Sequence, residues 1–167
     1  MNHHSKQNIL NMAVSSALAF GFCMSSHAAD AIATLSVTAT VIPNCIITAT
    51  AVGFGNYDPI VANSSSAIDS QGSIKTTCTI GSAPTIALGD GANADTGRRL
   101  RMGATNNFLT YELYSDTHGG TVWGATGIAA PTPTGTEQTS VVYGRLAGGQ
   151  NQATGTYSDM VVATVSF

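Results

Sequence analysis

From Ala29 to Val41 the chain alternates. The odd positions Ala29, Ala31, Ala33, Leu35, Val37, Ala39 and Val41 are all apolar, and the even ones are polar apart from Ile32. Successive side chains of an extended backbone point to opposite faces, so this pattern writes one apolar and one wet face onto a β-strand. A run of about thirteen residues exceeds the usual five or six. One long first strand fits it. So does a mobile amino-terminal half followed by a strand proper leading into Cys45, and periodicity does not choose between them.

The same period marks the other end. Tyr157, Val161, Ala163, Val165 and Phe167 share a face that Asp159 alone interrupts, while Met160 and Val162 put apolar groups on the opposite face. This reads as a strand buried on at least one side, with a pattern that runs to the last residue and no turn after it.

Between these ends helix signals are nearly absent. Short β-branched and aromatic runs predict strands near 33–42, 73–80, 84–88, 98–102, 107–114, 121–123, 139–146 and 156–167. Turn clusters such as "GDGANADTG", "SDTHGG" and "APTPTGT" separate several of them. About eight short strands at this spacing point to an all-β antiparallel sandwich in one domain.

The first residues address compartment. A basic, polar start, "MNHHSKQN", precedes an apolar run from Ile9 to Met24 and then "SSHAAD". Ser26 and Ala28 are the small residues expected around a cleavage site after Ala28, so residues 1–28 read as a secretory signal peptide. The apolar run is short for a membrane span and is broken by Asn11 and serines. Phe22 before Cys23 argues against a lipid anchor there. The expected product is an exported chain, residues 29–167.

The full chain carries a net charge of −3, and losing Lys6 with the signal makes the remainder more acidic, so no basic patch suggests nucleic acid. Cys23 leaves as well, so Cys45 and Cys78 remain. In an oxidising compartment that pair reads as a disulfide.

Catalytic chemistry is thin. His118, the one histidine after residue 28, lies in the turn "SDTHGG" and reads as a solvated loop residue. No motif supports a Ser-His-Asp arrangement. Asp90 and Asp95 in "GDGANAD" lack the alternating oxygen ligands and closing Glu of a calcium loop, and read as a polar turn. "RRLR" at 98–101 predicts a strand with a solvated basic face. Trp123 and Tyr143 read as core or edge packing rather than a sugar platform. No cofactor, metal site or enzymatic activity is expected.

Three stretches together resemble a known family. "FLTYELYSDTHGGTVWG" (108–124), "VVYGRLAGGQ" (141–150) and "GTYSDMVVATVSF" (155–167) are similar to the spore coat protein U domain, a family that includes pilin subunits of archaic chaperone–usher pili. Its most specific part is Gly-x-Tyr-x-Asp followed by a strand ending in an aromatic residue; the middle, 50–73, matches loosely. The resemblance implies an incomplete immunoglobulin-like antiparallel sandwich lacking strand G and completed by a donor strand. It implies three kinds of partner: a periplasmic pilus chaperone, an outer-membrane usher and neighbouring pilin subunits. The function it implies is a structural pilus subunit that reaches the cell surface and supports adhesion and biofilm formation.

Carried over by position, residues 29–40 form the donor extension, with Ala31, Ala33, Leu35, Val37 and Ala39 as the donor strand. Residues 41–167 form the domain, with Tyr157, Val161, Ala163, Val165 and Phe167 lining the acceptor groove and meeting the chaperone. The first donor positions are alanines, which fill pockets poorly, so the register stays open between the alanines and Leu35–Val41. A self-contained coat or matrix protein, a glycan-binding module and an enzyme are the rival readings.

Overall fold

A computed structural model describes residues 28–167; the signal-peptide reading of 1–28 falls, but for Ala28, outside the described residues. A first unit ends at Thr38 and a second runs Ala39–Phe167. In the second, eight strands follow one another: β1 (Cys45–Thr50), β2 (Ile68–Cys78), β3 (Thr85–Leu88), β4 (Arg99–Arg101), β5 (Phe108–Tyr114), β6 (Ile128–Ala129), β7 (Gln138–Leu146) and β8 (Ala163–Ser166). They form a five-stranded sheet, ordered β1-β2-β7-β5-β4, and a three-stranded sheet, ordered β6-β3-β8. Every strand pair is antiparallel. The fold is all-β, as the spacing of short strands predicts.

Alternation decides which side chains go in. On β5, Leu109, Tyr111 and Leu113 are buried between less buried neighbours; on β7, Val142, Gly144 and Leu146 are. The three-stranded sheet adds Ile86 and Leu88, and Trp123 fills the centre with no exposed surface. Trp123 Nε1 donates to Ile86 O at 2.8 Å, which satisfies the one polar atom of the indole. Gly144 sits where the chain after β1 presses onto the sheet: a Cβ there would collide with the side chains of Val52 and Phe54.

Cys45 and Cys78 face each other in the β1–β2 register and are disulfide-bonded, closing a separation of 33 residues. Directly beyond the bond, Thr79 N donates to Asn44 O at 2.9 Å.

Several strand assignments need correction. The segment 33–42 forms no strand; the first ladder begins at Cys45, where β2 provides a paired edge. Alternation gives an amphipathic extended segment, but a strand also needs a partner for its N–H and C=O groups. The 121–123 run makes one bridge, Val122 to Tyr114, because Trp123 leaves the edge for the core. The 156–167 run is laddered only over Ala163–Ser166. β1 and β6 went unread, the first because adjacent Ile46 and Ile47 break the alternation of "CIITAT", the second because it is two residues long.

Candidate functional site

β8 is held from one side. Beyond its ladder with β3, Gly89 N donates to Val162 O (2.9 Å) and Ala92 N to Met160 O (3.0 Å), while Arg101 and Ser158 exchange both backbone bonds. These bonds use even-numbered residues. In a pleated antiparallel strand, alternate residues present their backbone groups to opposite edges. Residues 159, 161, 163 and 165 therefore turn N–H and C=O toward the other edge, and β8 ends its sheet with no strand there among the described residues.

The side chains of those residues point inward. Tyr157, Asp159, Val161, Ala163 and Val165 are half-buried and alternate with exposed neighbours, as their spacing predicts. Tyr157, Val161, Ala163 and Val165 pack on the core, and Phe167 is 53% exposed. Beside them runs a cleft of about 230 Å³, lined by Val161 and Ala163 and by Ile74, Leu88, Leu113 and Val142. A larger cleft of about 680 Å³ lies past Asp159, between Tyr157 and the Val52–Tyr57 segment. The core is thus uncovered along one edge, a surface that invites pairing with another strand.

Asp159 lines both clefts. Its Oδ2 accepts from the Tyr111 hydroxyl at 2.8 Å, and its Oδ1 accepts from Asn93 N at 3.0 Å and Asn93 Nδ2 at 2.9 Å. Gly91 permits this approach, with φ at +93° and a Cβ position that would strike the carboxylate. Burial, and then the bond to Asp159, push the Tyr111 phenol pKa well above its ordinary value. In the sequence Asp159 is only an interruption of an apolar face; its place in Gly-x-Tyr-x-Asp was the available signal that it has a partner.

The amino-terminal candidates have the opposite character. Residues 28–44 are exposed and carry no strand; Ala31, Ala33, Leu35, Val37 and Ala39 all face solvent, Leu35 and Val37 each being 85% exposed.

Two polar residues contradict their sequence reading. Arg98 is 3% exposed, not part of a solvated face. Its Nη2 donates to Leu88 O (3.2 Å), Gly89 O (2.7 Å) and Trp123 O (2.9 Å), its Nε to Gly89 O, and its Nη1 to the Glu112 carboxylate. Buried carbonyls at a strand end and in the loops beside it need such a donor, and the guanidinium fork supplies several bonds at once. His118 is not a freely solvated loop residue either. Its Nε2 lies 3.0 Å from Ser70 O, its ring meets Tyr143 edge-on, and its Nδ1 is 3.9 Å from Asp69. Asp69 is committed to Arg145 through two bonds of 2.6 and 2.8 Å, which hold its pKa below the usual carboxylate range. Asp95 pairs with Arg99 at 3.2 Å. Among the described residues no three His, Cys, Asp or Glu converge as metal ligands. Burial of Trp123 removes the aromatic platform that a glycan-binding module would need.

Residues 31–164 match the family model of the Spore Coat Protein U domain. The chain belongs to this family. Protein U of Myxococcus xanthus is 37% identical over 163 residues, covering 85% of this chain and 88% of the relative. The fold is similar to a chain in the crystal structure of the CsuC–CsuE chaperone–tip adhesion subunit pre-assembly complex, from archaic chaperone–usher Csu pili of Acinetobacter baumannii. That match has a TM-score of 0.56 and 27% identity over 77% of this chain, which spans 40% of that chain's length. Within this family the Spore Coat Protein U domain is a structural module rather than an enzyme.

Proposed function

We propose that this Spore Coat Protein U domain chain is a structural pilus subunit, assembled by donor-strand exchange. It is exported to the periplasm, held there by a chaperone strand laid along β8, and passed by an outer-membrane usher to the amino-terminal segment of a neighbouring subunit. The resulting surface fibre serves adhesion and biofilm growth. The observation that carries this reading is the open edge of β8, where backbone groups without a strand partner among the described residues run beside an apolar cleft. Strand addition fits such an edge, with backbone bonds for affinity and clefts for side-chain selection. The exposed alternating segment 31–41 has the chemistry of the added strand. A head-to-tail contact of this kind does not close on itself and so builds a filament.

Deleting Ala31–Val37 tests the reading. The subunit should still fold with its chaperone and co-purify with it, yet disappear from sheared fibres. Phe167→Asp should abolish chaperone capture by placing a charge at the end of the apolar face that Val161, Ala163 and Val165 share; unchanged co-purification would contradict the groove assignment.

The 37% identity to Protein U across 88% of that relative favours a second reading, a self-contained coat or matrix protein. In that case the deletion would abolish folding itself, and the intact chain would be a stable monomer without a chaperone.

A further inference from the structure

We propose that Asp159 sets the register in which residues 31–41 of a second copy of this chain pair with β8, with Ala39 opposite Asp159. This rests on the donor-strand reading above and deepens it by naming the occupant and its alignment.

Every ladder of the fold is antiparallel, β8 with β3 included, so an added strand is taken as antiparallel to β8. A slip of one residue would turn the apolar face of the segment to solvent, so admissible registers differ by two. With Ala39 facing Asp159, Ala31 faces Phe167, Ala33 faces Val165, Leu35 faces Ala163, Val37 faces Val161 and Val41 faces Tyr157. Small thus meets large at the three pairs from Ala31 to Leu35. Leu35 and Val37 fall over the cleft of about 230 Å³. Val41 reaches Tyr157 beside the cleft of about 680 Å³.

The two neighbouring registers fail at the same residue. Sliding one way sets Val37 against Asp159 and Ala33 at Ala163, which underfills the cleft. Sliding the other way sets Val41 against Asp159 and crowds Leu35 onto Val165. Either slip lays a branched apolar side chain over a carboxylate, which costs free energy. Asp159 has little freedom to turn aside, since Tyr111 and Asn93 hold it by three hydrogen bonds. Ala39 is the one small residue on the apolar face of the Leu35–Val41 stretch, and it leaves the carboxylate room. The alanines that looked poor at filling pockets then sit where Val165 and Phe167 already occupy space.

Paired cysteines in fibres of the full chain test the alignment. Ala33→Cys with Val165→Cys places the two Cα atoms about 5.5 Å apart in the proposed register, within reach of a disulfide. Fibres sheared from producing cells and run without reductant should show a ladder of cross-linked subunits. The shifted pairs, Ala33→Cys with Ala163→Cys and Leu35→Cys with Val165→Cys, should cross-link roughly tenfold less, the factor that a mismatch of about 1.4 kcal/mol produces. Stronger cross-linking of a shifted pair would overturn the register and leave donor exchange standing. Fibres in which no pair cross-links would overturn the second copy as occupant. Failure of even the unsubstituted chain to enter fibres would overturn the donor reading itself.

A second variant avoids changing the cleft. Ala39→Leu lies on an exposed segment, so folding is not at stake, and it should cut fibre incorporation severalfold. Adding Asp159→Ala should restore part of the loss. Full incorporation of Ala39→Leu alone would overturn the pairing of Ala39 with Asp159.

Discussion

The phenol of Tyr111 donates a 2.8 Å hydrogen bond to Asp159, tying the middle of β5 to the segment that leads into β8. Burial and this carboxylate raise the phenol pKa, so the folded chain holds the proton more tightly than the unfolded chain does. The stability contributed is fully present below the ordinary tyrosine pKa near 10 and declines as pH rises past it. Tyr111→Phe should cost about 1.5–3 kcal/mol at neutral pH, the usual loss for a bond to a charged group. The deficit should shrink in alkali. Urea unfolding of both proteins at about pH 7 and about pH 11, on either side of the tyrosine pKa, checks this. Equal deficits at the two pH values would refute it.

Arg98 predicts a larger effect. Removing it uncovers the carbonyls of Leu88, Gly89 and Trp123 and leaves Glu112 without its partner. Arg98→Met should therefore destabilise by about 1–3 kcal/mol for each buried carbonyl left without a donor, while Glu112, whose side chain is 30% exposed, can regain water. Arg98→Lys should recover only part, because one ammonium cannot reproduce the guanidinium fork. Chemical denaturation of the two variants would measure both, and full rescue by lysine would show that charge alone matters.

These two sites mark where reading the sequence stops. The strands around Leu109, Val142 and Ile86 were legible because their alternation coincides with ladders that exist in the fold. The inward set Tyr157, Val161, Ala163 and Val165 was legible because the backbone alternates there even outside the Ala163–Ser166 ladder. Residues 33–42 have the clearest alternation of all and form no strand, since periodicity reports amphipathy and is silent on whether a neighbouring edge exists. Arg98 was missed because local charge density cannot show that the carbonyls of Leu88 at the end of β3, of Gly89 just after it and of Trp123 meet at one point. Asp159 was missed as a partner because Tyr111 and Asn93 are remote from it in the chain.

Trp123 is the chain's one tryptophan and is fully buried, so its fluorescence reports the core directly. Emission from the folded protein should be blue-shifted and resistant to iodide quenching. Trp123→Ala should cost about 3–5 kcal/mol through the cavity it leaves. Trp123→Phe should cost less, and the part that remains includes the lost indole bond to the Ile86 carbonyl. A red-shifted, readily quenched native spectrum would remove Trp123 from the core.

The disulfide gives the last test. Cys45 and Cys78 lie opposite each other at the mouth of the β1–β2 ladder, so the bond restrains the first strand at its entry, four residues after Val41. For a loop of this length the chain-entropy relation gives roughly 3.5–4 kcal/mol, acting through the unfolded state. Replacing both cysteines by serine should lower stability by about that amount or somewhat less, with the native β-sheet circular dichroism retained under mild conditions. β1 also borders the cleft through Ala49 and Thr50. Loosening its entry should therefore expose more apolar surface, read as increased binding of a hydrophobic dye. A double-serine variant as stable as the parent would show that the β1–β2 pairing alone restrains that strand.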